Sequence, residues 1–255
     1  MSGRLDGEVA IVTGSTSGLG REIARVFATE GASVVVTGRD RERGDRVAGA
    51  ITGAAFIAAD LTDEVQCASL VDAARARFGP VTVLVNNAVG NADDRGDGPV
   101  TELSAAAFEA ALRVDLVAAA TMCRIVIPQM LDTGRGAIVN VSSRAAVRSS
   151  PRLTAYAAAK AGLNALARSI TMDFARDGIR CNTVQPGYIL NEQRDAGSSP
   201  ERWARLEGQH LTRLSTATDV AYAVAFLASR EAETITGIVL PVDGGSTAVR
   251  ALSLG

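Results

Sequence analysis

The chain has a single lysine, Lys160, while arginine supplies the other 25 of its 26 fixed positive charges. It has one histidine, His210, and three scattered cysteines, Cys67, Cys123 and Cys181. One histidine without a cysteine pair argues against a zinc cluster. Three isolated cysteines argue against a disulfide framework and read as reduced, partly buried thiols of a cytosolic protein. The net charge of −2 provides no basic footprint for nucleic acid. No apolar run approaches membrane-spanning length, because the longest greasy stretch, 114–130, is broken by Asp115, Arg124 and Pro128. Residues 1–7 show no secretory leader, and there is no repeat, low-complexity tract or linker. These absences lead to the expectation of one cytoplasmic domain over 1–255, with no metal and neither a membrane nor a nucleic-acid partner. Hydrophobic content of 47% and charged content of 21% suit a globular chain, and 255 residues can bury a sizeable core.

Apolar runs of strand length recur at 9–13, 33–37, 55–58, 82–85, 137–141, 179–184 and 238–242, with helical patterns between them. Such alternation predicts a Rossmann-like α/β fold, a doubly wound parallel sheet of about seven strands with helices on both faces. Ligands of such sheets sit beyond the carboxyl ends of the strands. Two segments should border that edge: the glycine- and charge-rich 90–98, and the polar 191–212, a candidate lid.

The first run, Val9-Ala10-Ile11-Val12-Thr13, leads into Gly14-Ser15-Thr16-Ser17-Gly18-Leu19-Gly20 and then a helix-patterned stretch. Strand, glycine turn and helix form the context in which backbone N–H groups and a helix N-terminus receive a pyrophosphate. Gly14 allows the tight turn, Gly18 the close approach of the anion, and Gly20 helix–strand packing. Far downstream, Tyr156 and Lys160 are four residues apart, one helical turn on one face. A compact cation beside a phenol favours phenolate and draws its pKa down from about 10. That makes a proton donor and acceptor usable near neutrality.

These two motifs together resemble the classical short-chain dehydrogenase/reductases. Further elements match in order: Asp60-Leu61-Thr62-Asp63, Asn86-Asn87-Ala88, Val141-Ser142-Ser143, Pro186-Gly187 and Val242-Asp243-Gly244-Gly245. The resemblance covers essentially the whole chain. It implies an NAD(P)-dependent oxidoreductase interconverting a secondary alcohol and a ketone. A cofactor-binding regulatory or scaffold protein of the same fold, weak or inactive in catalysis, is the alternative. An epimerase or dehydratase of the extended branch fits poorly with the short chain and the glycine spacing.

The resemblance also implies site residues. Gly14, Ser17, Gly18, Leu19 and Gly20 take the phosphate turn. Asp60 and Leu61 hold the adenine, Asn87 and Ala88 line the groove, and Gly187, Ile189 and Asn191 lie at the nicotinamide. Asn191 stands where the family often has Thr and can still hydrogen-bond a carboxamide. Ser143, thirteen residues before Tyr156, is the expected serine for the substrate oxygen, with Ser142 as the neighbouring choice. Tyr156 passes the proton, and Lys160 holds the ribose and biases the phenol. One departure is Asp115, at the position where family members usually carry an Asn that completes a tetrad through a water. Asp can accept from that water but cannot donate. It either preserves the relay, detunes it, or marks a weak enzyme.

NADP(H) is expected over NAD(H). Gly38 stands where NAD enzymes usually place an acidic residue, and Arg39 follows it, ready to face a 2′-phosphate. Against this, Arg39 could stack on adenine, Asp40 could turn inward to a ribose, and Ser17 is not basic. Arg144, Arg148 and Arg152 read first as a solvated loop and second as a site for a substrate carboxylate or phosphate. The alanine-rich stretches 102–131 and 154–176 suggest, by the same resemblance, a homo-oligomer, tetramer or dimer.

Overall fold

The computed structural model describes residues 3–90 and 96–248. Its elements run β1 (Val9–Val12), α1 (Gly18–Thr29), β2 (Ser33–Gly38), α2 (Arg41–Gly49), β3 (Ala54–Ala58), α3 (Glu64–Phe78) and β4 (Val83–Asn86). There follow α4 (Ala105–Leu112), α5 (Ala118–Thr133), β5 (Gly136–Val141), α6 (Thr154–Phe174) and β6 (Ile179–Pro186). The chain continues through α7 (Glu192–Asp195), α8 (Pro200–Glu207), α9 (Ala217–Ala228) and β7 (Val239–Val242). The seven strands are parallel and ordered β3-β2-β1-β4-β5-β6-β7. The order reverses between β1 and β4, which opens a crevice at their carboxyl ends.

Residue alternation explains the two layers. Ala10, Val12, Val34 and Val36 face one side of the sheet and pack under Ile23 and Phe27 of α1 and Val220, Val224 and Leu227 of α9. Val9, Ile11 and Val35 face the other, under Leu70 and Val71 of α3, Met122, Val126 and Met130 of α5, and Ile170 of α6. Strands buried on both faces read as unbroken apolar runs, which is why they are legible in the sequence. The three cysteines are fully rather than partly buried, and burial pushes the Cys67 thiol up to about 11 and Cys123 to about 12. No described helix is long and apolar enough to cross a membrane.

Between α4 and α5 the helix does not break. Residues Arg113–Val117 form a π-turn, with the Ala118 N–H reaching back to the Arg113 carbonyl. Single π-turns inside helices are rare and frequent at functional sites. This one carries Asp115.

Candidate active site

The carboxyl ends of β1 and β4 are clamped together by side chains. Thr13 Oγ1 accepts from the N–H groups of Asn87 (2.9 Å) and Ala88 (3.0 Å), and the Asn87 amide donates to the Thr13 carbonyl (2.9 Å). Asn87 therefore builds the wall of the groove with its side chain turned into the protein. Thr13 is part of this clamp although its spacing alone did not mark it out. In the glycine turn, a Cβ on Gly20 would lie 2.4 Å from the Gly14 carbonyl oxygen and 2.5 Å from Asn87 Nδ2, so only glycine fits. A Cβ on Gly18 would meet nothing within 4 Å, which leaves this side of the turn open. Ser17, at the N-cap of α1, is exposed and makes no capping bond with its hydroxyl. Leu19 is half-buried against the core. An open turn at a helix N-terminus fits a pyrophosphate.

At the end of β2, Arg39 is exposed. Asp40 does not turn inward; it caps α2, accepting from the Arg43 N–H (3.0 Å) and guanidinium (2.7 Å). The capping bond fixes an orientation that the sequence leaves open. A Cβ on Gly38 would come within 2.8 Å of the Thr16 methyl, so the space beside Gly38 is partly filled by Thr16. Asp60, beyond β3, is held below the usual carboxylate range by the Thr62 N–H and hydroxyl, with a further contribution from the charge of Arg39. Arg39 and Asp60 thus share one electrostatic neighbourhood. Leu61 and Ala88 border a cavity of about 10 Å³ with Thr13 and Asp115.

At the end of β5 the two serines part. Ser142 is buried and donates to the Lys160 carbonyl (2.9 Å), tying β5 to α6. Ser143 is half-buried and accepts from the Ala145 N–H (3.1 Å). Lys160 is only 2% exposed, its Nζ donating to the Val141 carbonyl (3.0 Å) and lying 5.7 Å from the centre of the Tyr156 ring. Tyr156 is half-buried, in the first turn of α6. Asp115 is 1% exposed, and its Oδ1 accepts from the Gly90 N–H (2.7 Å). Its acceptor function is used at least partly on the backbone that leaves β4. Of the glycine- and charge-rich segment, 91–95 lie outside the described residues.

Past β6, Gly187 packs against Asp243, where a Cβ would come within 2.7 Å, and Ile189 bridges to Ser215. Asn191 caps α7 through Oδ1, accepting from the Arg194 N–H (2.9 Å), so that oxygen is engaged within the chain. The segment 191–212 is anchored around Asp195. Tyr188 donates to it (2.5 Å), Arg202 donates to the Tyr188 hydroxyl (2.9 Å), and the Arg194 guanidinium lies 4.7 Å from the Tyr188 ring centre. Burial pushes the Asp195 carboxyl up, but Tyr188, the Asn191 N–H and Arg194 outweigh it and hold it below its usual range. The three loop arginines differ. Arg152 is exposed and pairs with Glu102 (3.3 Å), and Arg148 donates to the Ser246 carbonyl (2.7 Å). Arg144 is half-buried, 3.3 Å from the Gln209 amide oxygen. Burial pulls its guanidinium below the ordinary value, and Arg148 adds to the effect.

A family model described as enoyl-(acyl carrier protein) reductase matches residues 14–247. The chain is 40% identical to a cis-4-hydroxycyclohexanecarboxylate dehydrogenase of Sinomonas cyclohexanicum, over 94% of this chain and 97% of that one. Among solved structures it resembles a gluconate 5-dehydrogenase from Burkholderia cenocepacia in complex with NADP and tartrate, with a TM-score of 0.88 at 29% identity, covering 97% and 98% of the two chains. It also resembles a 7α-hydroxysteroid dehydrogenase complexed with NADH and 7-oxo glycochenodeoxycholic acid, with a TM-score of 0.87 at 35% identity, covering 95% of each chain.

Proposed function

The chain belongs to the classical short-chain dehydrogenase/reductases, NAD(P)-dependent oxidoreductases of CH–OH and ketone groups, and on that premise we propose which residues carry the reaction and which cofactor it uses. When bound, the nicotinamide supplies or accepts the hydride. The Ser143 hydroxyl holds the substrate oxygen, and the Tyr156 hydroxyl gives the proton in reduction or takes it in oxidation. Lys160 binds the ribose and stabilises phenolate. The observation that carries this reading is the buried Lys160 ammonium 5.7 Å from the Tyr156 ring, held by the Val141 carbonyl at the end of β5, while the Ser142 hydroxyl holds the Lys160 main chain. A scaffold without catalysis is disfavoured, since that cation is buried with the phenol beside it. The test is consumption of reduced cofactor, followed at its absorbance band, across a panel of ketones. No turnover with any ketone or alcohol would remove the assignment.

The preferred cofactor is NADP(H). Gly38 keeps the end of β2 free of an acidic side chain, Arg39 is exposed beside Asp60, and Asp40 is committed to capping α2. Gly38→Asp is expected to shift the NADPH/NADH ratio of kcat/KM by about tenfold or more toward NADH, through repulsion of the 2′-phosphate. Because its Cβ would crowd the Thr16 methyl, the full shift should need Thr16→Ala as well. Tighter binding of NADH than NADPH by the unmodified protein, in a fluorescence titration, would show the strand end has been misread.

The substrate we infer carries a carboxylate. Two of the similar proteins are named for a cyclohexanecarboxylate and for gluconate. Arg144 follows Ser143 and is a half-buried guanidinium facing a neutral amide, a setting in which a carboxylate gains a charge-assisted contact. Arg144→Ala should raise KM for hydroxy acids about 10- to 100-fold, the loss of one charged hydrogen bond, with little change for their methyl esters. Equal effects on acid and ester would sink this reading. We also propose a cytoplasmic homo-oligomer, with 191–212 as its lid. The exposed Val117 and Met172, on the helical layer formed by α4–α6, support self-association there.

A further inference from the structure

Helix α6 carries both Tyr156 and Lys160, yet it starts without a cap of its own: Leu153 occupies the N-cap and makes no side-chain bond. The first N–H groups of a helix have no intrahelical acceptor and need one from elsewhere. Here it comes from Asp97, 58 and 59 residues upstream. One carboxylate oxygen accepts from the Ala155 N–H (3.0 Å), and the other accepts from the N–H of Tyr156 itself (3.0 Å). The same carboxylate takes the Gly98 N–H (2.9 Å), and the Thr154 hydroxyl donates back to the Gly98 carbonyl (2.7 Å). Residues 97–98 and the first three residues of α6 are thus clasped in both directions. The bonds to Asp97 are charge-assisted and sit at the positive end of the helix dipole.

We propose that Asp97 is a positioning residue for proton transfer, fixing the first turn of α6 and so the place of the Tyr156 hydroxyl. The proposal rests on Tyr156 being the proton donor, as argued above. Terminal helical turns fray, and Tyr156 lies in such a turn. Lys160 lies one turn deeper and is held independently by Val141 and Ser142. Loss of Asp97 should therefore loosen the phenol while leaving the lysine and the cofactor groove in place. A displacement of about 1 Å at a reacting group can cost 100-fold in rate.

The experiment compares Asp97→Ala, Asp97→Asn, Thr154→Val and the double variant Asp97→Ala/Thr154→Val in the full-length protein, with Tyr156→Phe as reference. We measure kcat, KM, NADPH affinity and melting temperature. Asp97→Ala should lower kcat by about 10- to 100-fold with NADPH affinity within about twofold. Asp97→Asn keeps one acceptor oxygen but turns an NH2 toward the other helix N–H, so its kcat should fall clearly below the parent and above Asp97→Ala. Thr154→Val should have a smaller effect and add nothing to Asp97→Ala, as expected of two parts of one clasp. A kcat within twofold of the parent in Asp97→Ala, with only the melting temperature lowered, would reduce Asp97 to an ordinary helix cap. If Asp97→Ala fails to fold, Asp97→Asn and Thr154→Val decide alone: unchanged kcat in both overturns the proposal. Turnover surviving in Tyr156→Phe would instead overturn the functional reading itself.

Discussion

Tyr156→Phe is expected to lower turnover by about 10²- to 10⁴-fold, the range a positioned acid–base group contributes, while cofactor affinity stays within about twofold. The ring remains in its half-buried place and only the transferable proton is lost. Lys160→Arg should fail as well, although it keeps the charge. The ammonium occupies a buried site and points at the Val141 carbonyl from 3.0 Å. A guanidinium is wider and planar and presents a fork in place of a point charge. Forcing it into that space should cost about 1–3 kcal/mol, as overpacking does, and move the charge away from the phenol. The two variants separate the roles: Tyr156→Phe should bind NADPH normally, whereas Lys160→Arg should lose both turnover and cofactor affinity. Steady-state rates and an NADPH titration on each check this. Near-normal activity in Lys160→Arg would mean that the one lysine is only a buried cation.

What could be read from the residues alone depended on how local the cause was. Val34-Val35-Val36 is a strand because both its faces are buried, and that leaves a continuous apolar run. The glycine turn and the Tyr156–Lys160 pair are equally local, set by φ angles and helical spacing. The residues whose role had to be refined are those whose side chains satisfy nearby backbone. Asp40 and Asn191 cap helices, and Asn87 clamps β4 to β1. Short polar side chains compete for such bonds, and position in a motif does not say which partner wins. Ser142 and Ser143 are adjacent and chemically identical, so spacing could favour one, but only the fold shows Ser142 tied to α6. The π-turn leaves no mark in the apolar periodicity around Asp115. Asp97 is the least legible of all: it caps a helix from 58 residues away, beyond any local pattern. The available hint was negative, an apolar Leu153 where α6 would need a capping residue.

Asp115→Leu is expected to cost about 1–3 kcal/mol of stability and most of the activity, because it removes the buried carboxylate that accepts from the half-buried Gly90 N–H. That N–H begins the path away from β4, and the π-turn that presents Asp115 packs Leu116 against Gly162 of α6, two residues past Lys160. Removing the acceptor therefore disturbs the segment beside the proposed proton relay as well as the groove. Asp115→Asn should behave in the opposite way. The amide oxygen still accepts from Gly90, while its NH2 replaces Oδ2, which has no hydrogen-bond partner among the described residues. A buried oxygen without a partner is a cost, and exchanging it for a donor facing the same small cavity as the Asn86 side chain can relieve it. Stability should be equal or higher, and turnover should be retained. The substitution also removes an acidic group beside the helix carrying Tyr156 and Lys160. With a neutral amide in place of the carboxyl, phenolate forms more readily, so the ascending, acid-side limb of the oxidation profile should move to lower pH. Melting curves and pH–rate profiles of the parent, Asp115→Asn and Asp115→Leu, recorded side by side, decide the matter. Three superimposable profiles with equal rates would show that Asp115 neither supports Gly90 in a way that matters to catalysis nor touches the proton relay.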